Sequence, residues 1–168
     1  RADYQPTSEK LPLMPKFGMK MLINPAMNAI TWYGKGIHEN YPDRKSSEFI
    51  GEYSLPLNDF VVNYPAPQEN GNRCDVRWMS FSDGKLNLRV EGLQPLCFRA
   101  WPWLESDIEK AGHPFELPKN DFINVNIDLN IHGVGCNDGW GAQTLEKYTI
   151  DANKPYSYGF ILSCEEEM

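Results

Sequence analysis

The chain has 168 residues and a mass of 19.3 kDa, which suits one domain. Hydrophobic residues make up 41% and charged residues 23%, the balance of a globular protein rather than a disordered one. Acidic residues outnumber basic ones to give a formal net charge of −7, and no apolar run approaches the ~20 residues that cross a bilayer. Because nucleic acids and anionic membranes attract basic surfaces, we expect neither as a partner.

The four cysteines bear on the compartment. Cys74, Cys97, Cys136 and Cys164 form no CxxC pair, and their spacing matches no zinc framework. Three of them lie in strand-like patterns, where a free cysteine behaves as a small hydrophobe, so we expect reduced structural thiols. Two disulfides are the alternative for an exported protein, and the sequence leaves a cytoplasmic and a periplasmic location open. Since no leader follows Arg1, we expect a processed product or part of a longer protein.

The first elements along the chain are short. Residues 1–18 hold three prolines and little periodicity, so we expect an extended lead-in to a β-domain that fills residues 19–168. Apolar runs at 19–24 and 28–33, joined through Asn24-Pro25, predict two strands. Each run is too short for a helix.

Alternation of apolar and polar residues is clearer in the second half. Residues 73–81 and 85–91 flank Ser82-Asp83-Gly84, which predicts a hairpin with glycine at positive φ. Residues 123–131 place Ile, Val and Leu on one face and Asn and Asp on the other, which predicts a half-buried strand. Residues 156–164 alternate in the same way and predict the last strand.

Only the stretch near residues 104–111 predicts a helix. Leu104, Ile108 and Ala111 recur at helical spacing, and Gly112 follows as a stop. Many short strands, 13 glycines, 13 prolines and one short helix together predict an all-β fold, built as an antiparallel sandwich.

Two polar segments predict ordered loops. Residues 32–44 (WYGKGIHENYPDR) leave a strand through a Gly-x-Gly turn that lacks the features of a phosphate loop. We interpret this segment as a buried loop held by an Asp43–Arg44 or a Glu39–Arg44 network, because a long ordered loop must satisfy its own polar groups. Residues 64–73 (YPAPQENGNR) contain stiffening prolines and a tight Asn-Gly turn, across which Glu69 and Arg73 are placed to pair. The predicted network residues are Glu39, Asn40, Asp43, Arg44, Glu69, Asn70 and Arg73.

Two segments offer aromatic side chains that a sugar could stack on. For residues 96–103 (LCFRAWPW) we favour core packing. In residues 132–141 (HGVGCNDGWG), glycines surround Trp140, so this indole either fills a distant pocket or presents a flat apolar face to a ligand. In the second case Asn137 and Asp138 are placed to hydrogen-bond sugar hydroxyls.

The sequence contains little that favours catalysis by this chain alone. His38, His113 and His132 are scattered and form no metal motif. Glu69 and Asp138 are the conceivable carboxylate pair of a freestanding glycosidase, but nothing indicates the separation of about 5 Å that a retaining mechanism needs. We therefore predict no catalytic residue and no metal site in the chain.

Three segments, taken in order, resemble one known family. WYGKGIHENYPDR is similar to the signature Trp-(Phe/Tyr)-Gly-x-Gly-x-x-Glu-Asn-Tyr-Pro-Asp-Arg in the C-terminal, small-chain domain (domain 5) of glycoside hydrolase family 2 β-galactosidases. LPLNDFVVNYPAPQENGNR resembles the next family block, and NIDLNIHGVGCNDGWG resembles the last. The resemblance extends from about Leu13 to Cys164. Where the family usually has Gly-Asp-(Asn/Asp)-Ser-Trp, this chain has CNDGW, so the tryptophan keeps its register while its neighbours differ.

The resemblance implies a fold and a role. The fold would be a galactose-mutarotase-like super-sandwich, of which this chain holds the C-terminal part. The catalytic glutamates and a magnesium ion would belong to a TIM barrel upstream, so the isolated chain would be inactive and hold no cofactor. Trp140 would reach over the barrel and contact the galactoside. Partners would be galactosides, the barrel and other upstream domains, and further copies in a homo-oligomer.

Two other functions stay open at this point. The first is a carbohydrate-binding sandwich with no enzymatic partner, which would bind galactosides as an isolated chain. The second is an architectural domain whose loops hold subunits together, with Trp140 buried in an interface.

Overall fold

Antiparallel strands dominate the chain, as the alternating pattern predicts. The computed structural model describes residues 1–135 and 140–166. Within those ranges the strands are β1 (Ala2–Tyr4), β2 (Lys16–Ile23), β3 (Ala29–Gly36), β4 (Phe49–Pro56), β5 (Arg73–Ser82), β6 (Leu86–Trp101), β7 (Ile123–Ile131), β8 (Tyr156–Tyr158) and β9 (Phe160–Glu166). The helical elements are α1 (Leu57–Phe60), α2 (Glu105–Lys110) and two 3₁₀ turns at Pro114–Glu116 and Glu146–Tyr148.

The strands form two sheets that pack together. One sheet has seven strands in the order β2-β7-β6-β5-β3-β4, with β9 also pairing with β6, and the other pairs β1 with β8. Aromatic rings join the sheets, since Phe17 of β2 lies 5.9 Å from the ring of Tyr4 and 5.5 Å from that of Tyr158. The predicted all-β antiparallel sandwich is therefore confirmed, and α2 confirms the predicted short helix.

Strand β6 organises the large sheet. Residues 86–92 of β6 pair with β9, whereas residues 97–101 pair with β7, so two strands share one edge of β6. The other edge pairs with β5 through the predicted turn, where Gly84 has a φ of 81°. The main core collects apolar side chains from β3, β5, β6 and β7 around residues such as Trp32, Phe81 and Phe98.

The interpretation of residues 123–131 as half-buried is wrong for the first six residues, whereas Asn130 near the end of the strand is exposed. Asn124, Asn126 and Asp128 on the polar face of β7 are at most 3% exposed. Two groups of this face have protein partners: the side-chain N–H₂ of Asn124 donates to the Trp103 carbonyl at 3.0 Å, and the side-chain oxygen of Asn126 accepts from Arg99 at 3.2 Å. Polar partners from β6 and the segment before α2 thus replace water over this face.

The structure also contains elements that the sequence pattern did not predict. Strand β4 pairs with β3 along its whole length, from Ala29 opposite Pro56 to Gly36 opposite Phe49. Helix α1 follows it directly and buries Leu57 and Phe60. Among the described residues, no helix has both the length and the apolar composition required to cross a membrane.

Candidate functional site

The glycine-rich segment after β7 is fastened by one carboxylate. Asp43 accepts hydrogen bonds from the backbone N–H of Val134 at 3.1 Å, from that of Gly135 at 2.7 Å and from the hydroxyl of Thr144 at 3.0 Å. These donors lie on both sides of Trp140 in the chain. We call this arrangement the Asp43 clamp. Charged hydrogen bonds of this kind are about twice as strong as neutral ones, so the clamp fixes both ends of the segment that carries the indole.

The clamp explains two glycines of the segment. A Cβ atom at Gly133 would lie 2.7 Å from the Asp43 carboxylate and from the Thr144 hydroxyl, so a larger residue would push the carboxylate away. Gly135 has a φ of 75°, which most other residues adopt only at a cost. Gly133 thus allows the Asp43 carboxylate to approach the backbone closely, and Gly135 allows the chain to turn.

Asp43 is in turn held by its own loop. Tyr41 and Arg44 form an antiparallel bridge around it, and the Arg44 guanidinium lies 5.1 Å from the centre of the Tyr41 ring. Arg44 also donates to the Glu39 carboxylate at 2.5 Å. Of the two ion pairs considered for Arg44, the structure contains the one with Glu39, while Asp43 faces the glycine-rich segment instead.

Glu39 connects this loop to the second polar segment. Its carboxylate accepts from the backbone N–H of Gly71 at 2.7 Å and makes a short hydrogen bond with the hydroxyl of Tyr64. Asn40 continues the connection, because its side-chain oxygen accepts from the Cys74 backbone N–H at 2.9 Å and its backbone carbonyl accepts from the Asn72 amide at 2.7 Å. The two predicted loops are therefore one interlocked unit.

Glu69 and Arg73 do not pair with each other. Glu69 accepts from the guanidinium of Arg99 and, at 3.3 Å, from the hydroxyl of Tyr41. Arg73 is buried, with its guanidinium 4.3 Å from the centre of the Phe60 ring. Burial lowers the pKa of Arg73 to about 10, although Glu39 opposes this shift. The register of β5 turns Arg73 toward the core, which is why the predicted pairing across the turn is wrong.

The aromatic segment at the end of β6 is buried. Trp101 is 2% exposed, and its indole N–H donates to the backbone carbonyl of Asn70 at 3.1 Å. The guanidinium of Arg99 lies 3.3 Å from the centre of the Trp101 ring. Asn70 also accepts from the backbone N–H of Val62 at 3.1 Å, so it fastens the loop to both neighbours. Core packing, the interpretation favoured for this segment, describes Trp101 well.

Trp140 is 96% exposed. Asn137 and Asp138, the two residues predicted to support it at the sugar, lie outside the described residues. The indole consequently presents most of its surface on a segment whose two ends are held by the Asp43 clamp. An indole exposed in this way offers a flat apolar surface that a ligand or another part of a longer polypeptide can cover.

A cavity lies beside the clamped segment. It has a volume of about 410 Å³, within the usual range for small-ligand sites, and polar side chains line it together with apolar ones. The polar lining comes from Lys16, Glu69, His132 and Gln143. Lys16 and Gln143 were not singled out from the sequence, because they gather only through contacts between distant strands and carry no local motif.

Charged side chains cluster next to this cavity, where β2 pairs with β7 and α2 begins. Burial raises the pKa of Asp128 to about 7, against the opposing charges of Lys16 and Arg99. Burial also opposes ionisation of Glu105, yet its backbone hydrogen bond and the charges of Lys16 and Arg99 lower the pKa of Glu105 to about 2. Lys16 and Arg99 contact Glu105 at 3.4 and 2.7 Å. Among the described residues, no group of three or more His, Cys, Asp or Glu side chains is placed to hold a metal ion.

Sequence comparisons identify the family. The family described as "Beta galactosidase small chain" matches residues 1–162, so the chain belongs to the β-galactosidase small chain family. Among curated proteins, the chain is 36% identical over 156 residues to a β-galactosidase of Priestia megaterium and 36% identical over 157 residues to one of Pseudoalteromonas haloplanktis. A β-galactosidase of Halalkalibacterium halodurans is 30% identical over 167 residues.

The matches cover nearly all of this chain but a small part of each relative. They include 92%, 93% and 97% of the chain, in the order given above, and only 15%, 14% and 16% of the relatives. The chain thus spans about 15% of the length of these relatives and corresponds to a small part of a much longer type of polypeptide. The family that the three motifs resemble is the family that the comparisons identify.

Proposed function

We propose that this chain is the C-terminal sandwich domain of a retaining β-galactosidase, which hydrolyses terminal β-D-galactose residues. In this proposal the catalytic glutamates lie in a barrel elsewhere in the whole protein. The role of the chain is to complete the substrate cleft with an aromatic platform, the indole of Trp140. The names of the relatives support the reaction, and the exposure of Trp140 supports the role.

The geometry around Trp140 is the observation that carries the proposal. A flat indole that is 96% exposed offers an apolar face, and the C–H bonds of a pyranose form a matching apolar surface. The Asp43 clamp holds both flanks of the segment, which reduces the ordering cost on binding. The neighbouring cavity supplies hydrogen-bonding groups from Glu69, His132 and Gln143.

A freestanding glycosidase has less support. Of the conceivable catalytic pair, Asp138 lies outside the described residues, and the carboxylate of Glu69 is engaged with Arg99 and Tyr41. Such engagement suits a structural or substrate-orienting carboxylate better than a nucleophile that must reach an anomeric carbon. We therefore assign Glu69 to the wall of the cleft rather than to the chemistry.

The test is kinetic and uses the full-length protein. We expect Trp140→Ala to raise KM for a galactoside roughly tenfold, because stacking on the platform is lost. Phe115→Ala is the matched control, since Phe115 is also an exposed aromatic side chain, at 83%, outside the clamped segment. This control should behave as the wild type.

Other outcomes would contradict the proposal in distinguishable ways. Turnover and affinity within about twofold of the wild type for Trp140→Ala would exclude the platform. Dissociation of an oligomer by the same variant would favour an architectural role. Galactoside binding by the isolated chain would favour a self-sufficient carbohydrate-binding module, because a completed cleft needs the barrel.

A further inference from the structure

Two thiols face each other across strands β5 and β6. Cys74 and Cys97 are 1% and 5% exposed, and their sulfur atoms lie 3.6 Å apart. Arg73 pairs with Phe98, and the register of β5 and β6 shifts between Arg73 and Val76, so the two cysteines lie next to this pair where the strands are irregular. A disulfide joins its two sulfur atoms at about 2.05 Å. Closing the remaining gap between the sulfur atoms requires a movement of about 1.5 Å.

The two sulfur atoms differ in their hydrogen-bonding partners. The Cys74 sulfur accepts hydrogen bonds from the Cys97 thiol and, at 3.3 Å, from the side-chain amide of Asn72. Its own thiol faces the backbone carbonyl of Asn40 at 3.5 Å. The hydrogen bond to Cys74, together with burial, raises the pKa of Cys97, so Cys97 keeps its proton while Cys74 is the sulfur that receives donors. The Cys97 thiol is thus directed at the sulfur that it would join.

A small oxidant has space beside the pair. Both cysteines line a cavity of about 230 Å³, together with Pro42, Lys45 and Tyr148. The Lys45 ammonium contacts the Asp75 carboxylate at 2.9 Å on the wall of this cavity. A peroxide is little larger than the water molecules that such a space accommodates.

We propose that Cys74 and Cys97 form a redox-modification site, in which a peroxide converts the two thiols into a disulfide across β5 and β6. The Cys74 sulfur attacks one peroxide oxygen, the O–O bond breaks, and a sulfenic acid and one water form. The Cys97 sulfur then attacks Cys74, the S–O bond breaks, and a second water leaves with the Cys97 proton. Two thiols are thereby oxidised by two electrons, and one hydrogen peroxide is reduced to two water molecules.

Peptide mapping of the full-length protein tests the site. After treatment with hydrogen peroxide, blocking of remaining thiols and digestion with trypsin, we expect residues 74–77 (CDVR) linked to residues 90–99 (VEGLQPLCFR). Dithiothreitol should release the two peptides. The exposed Cys164 provides the matched control, so Cys164→Ser should retain the cross-link and Cys97→Ser should lose it.

A comparison of folded and denatured wild-type protein tests the site without relying on a variant that could misfold. In the wild type, the link should form about tenfold or more faster in the folded protein than in denaturant, because folding holds the sulfur atoms together. Equal rates in the folded and denatured protein would overturn the proposal. So would blocked, unlinked Cys74 and Cys97 after peroxide treatment, or cross-links that join either of them to Cys136 or Cys164.

Discussion

Trp101 and Trp140 are the same residue type in opposite settings. Trp101 is 2% exposed, covered by the guanidinium of Arg99 and hydrogen-bonded through its indole N–H to Asn70. Trp140 is 96% exposed on a segment that Asp43 fastens at both ends. Around Trp101, the polar residues Arg99 and Asn70 contact and cover the indole. Near Trp140, Asp43 instead holds the backbone on either side and leaves the indole exposed. Neighbouring glycines and a clamping carboxylate, rather than the aromatic residue itself, therefore distinguish the exposed indole from the buried one.

The largest expected effect belongs to the buried member of the pair. Trp101→Ala should lower the stability of the domain by about 3–5 kcal/mol, because it opens a cavity and leaves Arg99 without its aromatic partner. Trp140→Ala should change stability by no more than about 0.5 kcal/mol, since it removes an exposed side chain. Hydrogen–deuterium exchange of β6 and β7 in the full-length protein measures the stability change that each variant causes. Similar protection losses for the two variants would break the comparison.

A smaller effect should follow pH through Asp128. Its folded pKa of about 7 exceeds the unfolded value of 3.8, so the folded state binds the additional proton between these values. The stability of the region is therefore greatest below the unfolded pKa and falls as pH rises through about 7. Asp128→Asn removes this titration, and the wild type should lose roughly 3 kcal/mol more than the variant between pH 5 and pH 8.

Exchange protection of β7 at the two pH values measures this difference. The exposed Asp121 offers a control, because Asp121→Asn should follow the wild type at both pH values. A wild-type region that gains protection, relative to Asp128→Asn, as pH rises would contradict the direction of the Asp128 pKa.

The smallest expected effect concerns the Asp43 clamp. Asp43→Asn keeps the shape of the side chain but replaces one acceptor oxygen with an N–H₂ group, which should weaken the clamp by about 1–2 kcal/mol. A looser clamp should raise KM for a galactoside by roughly threefold to tenfold while kcat changes less. Asp121→Asn should leave both constants unchanged.

A double variant separates the clamp from the platform. If Asp43 acts by positioning Trp140, Asp43→Asn should have no further effect on KM in a protein that already carries Trp140→Ala. Additive effects of the two changes would exclude this coupling. If Trp140→Ala raises KM and Asp43→Asn does not, the result would support the platform role of Trp140 and reject only the positioning role of Asp43.

Much of the fold could be predicted where the local pattern is strong. The alternation over residues 123–131 matches the bounds of β7, and the helical spacing near Ile108 matches α2. Strand β4 was missed because Phe49 and Ile50 are exposed apolar residues, which obscure its alternation. Helix α1 has four residues, fewer than the periodicity of a helix needs to show.

The candidate site could be predicted less completely, for a physical reason. Trp140 stands out in the sequence because glycines surround it, but its clamp depends on Asp43, which lies 92 residues from Gly135 in the chain. Likewise, Glu69 pairs with Arg99, 30 residues away, instead of the nearby Arg73. Such contacts follow from strand order and register, which local sequence patterns do not specify. For the same reason, most of the polar face of β7 was wrongly assigned to solvent.

Footprinting with hydroxyl radicals tests the central claim most directly, because it reports the solvent contact of each indole in the full-length protein. The account predicts that Trp140 oxidises rapidly without ligand and is protected several-fold by a saturating galactoside. Trp101 should resist oxidation in both conditions, as a buried reference in the same domain. Equal oxidation of Trp140 with and without the galactoside would contradict the claim that a sugar lies against this indole.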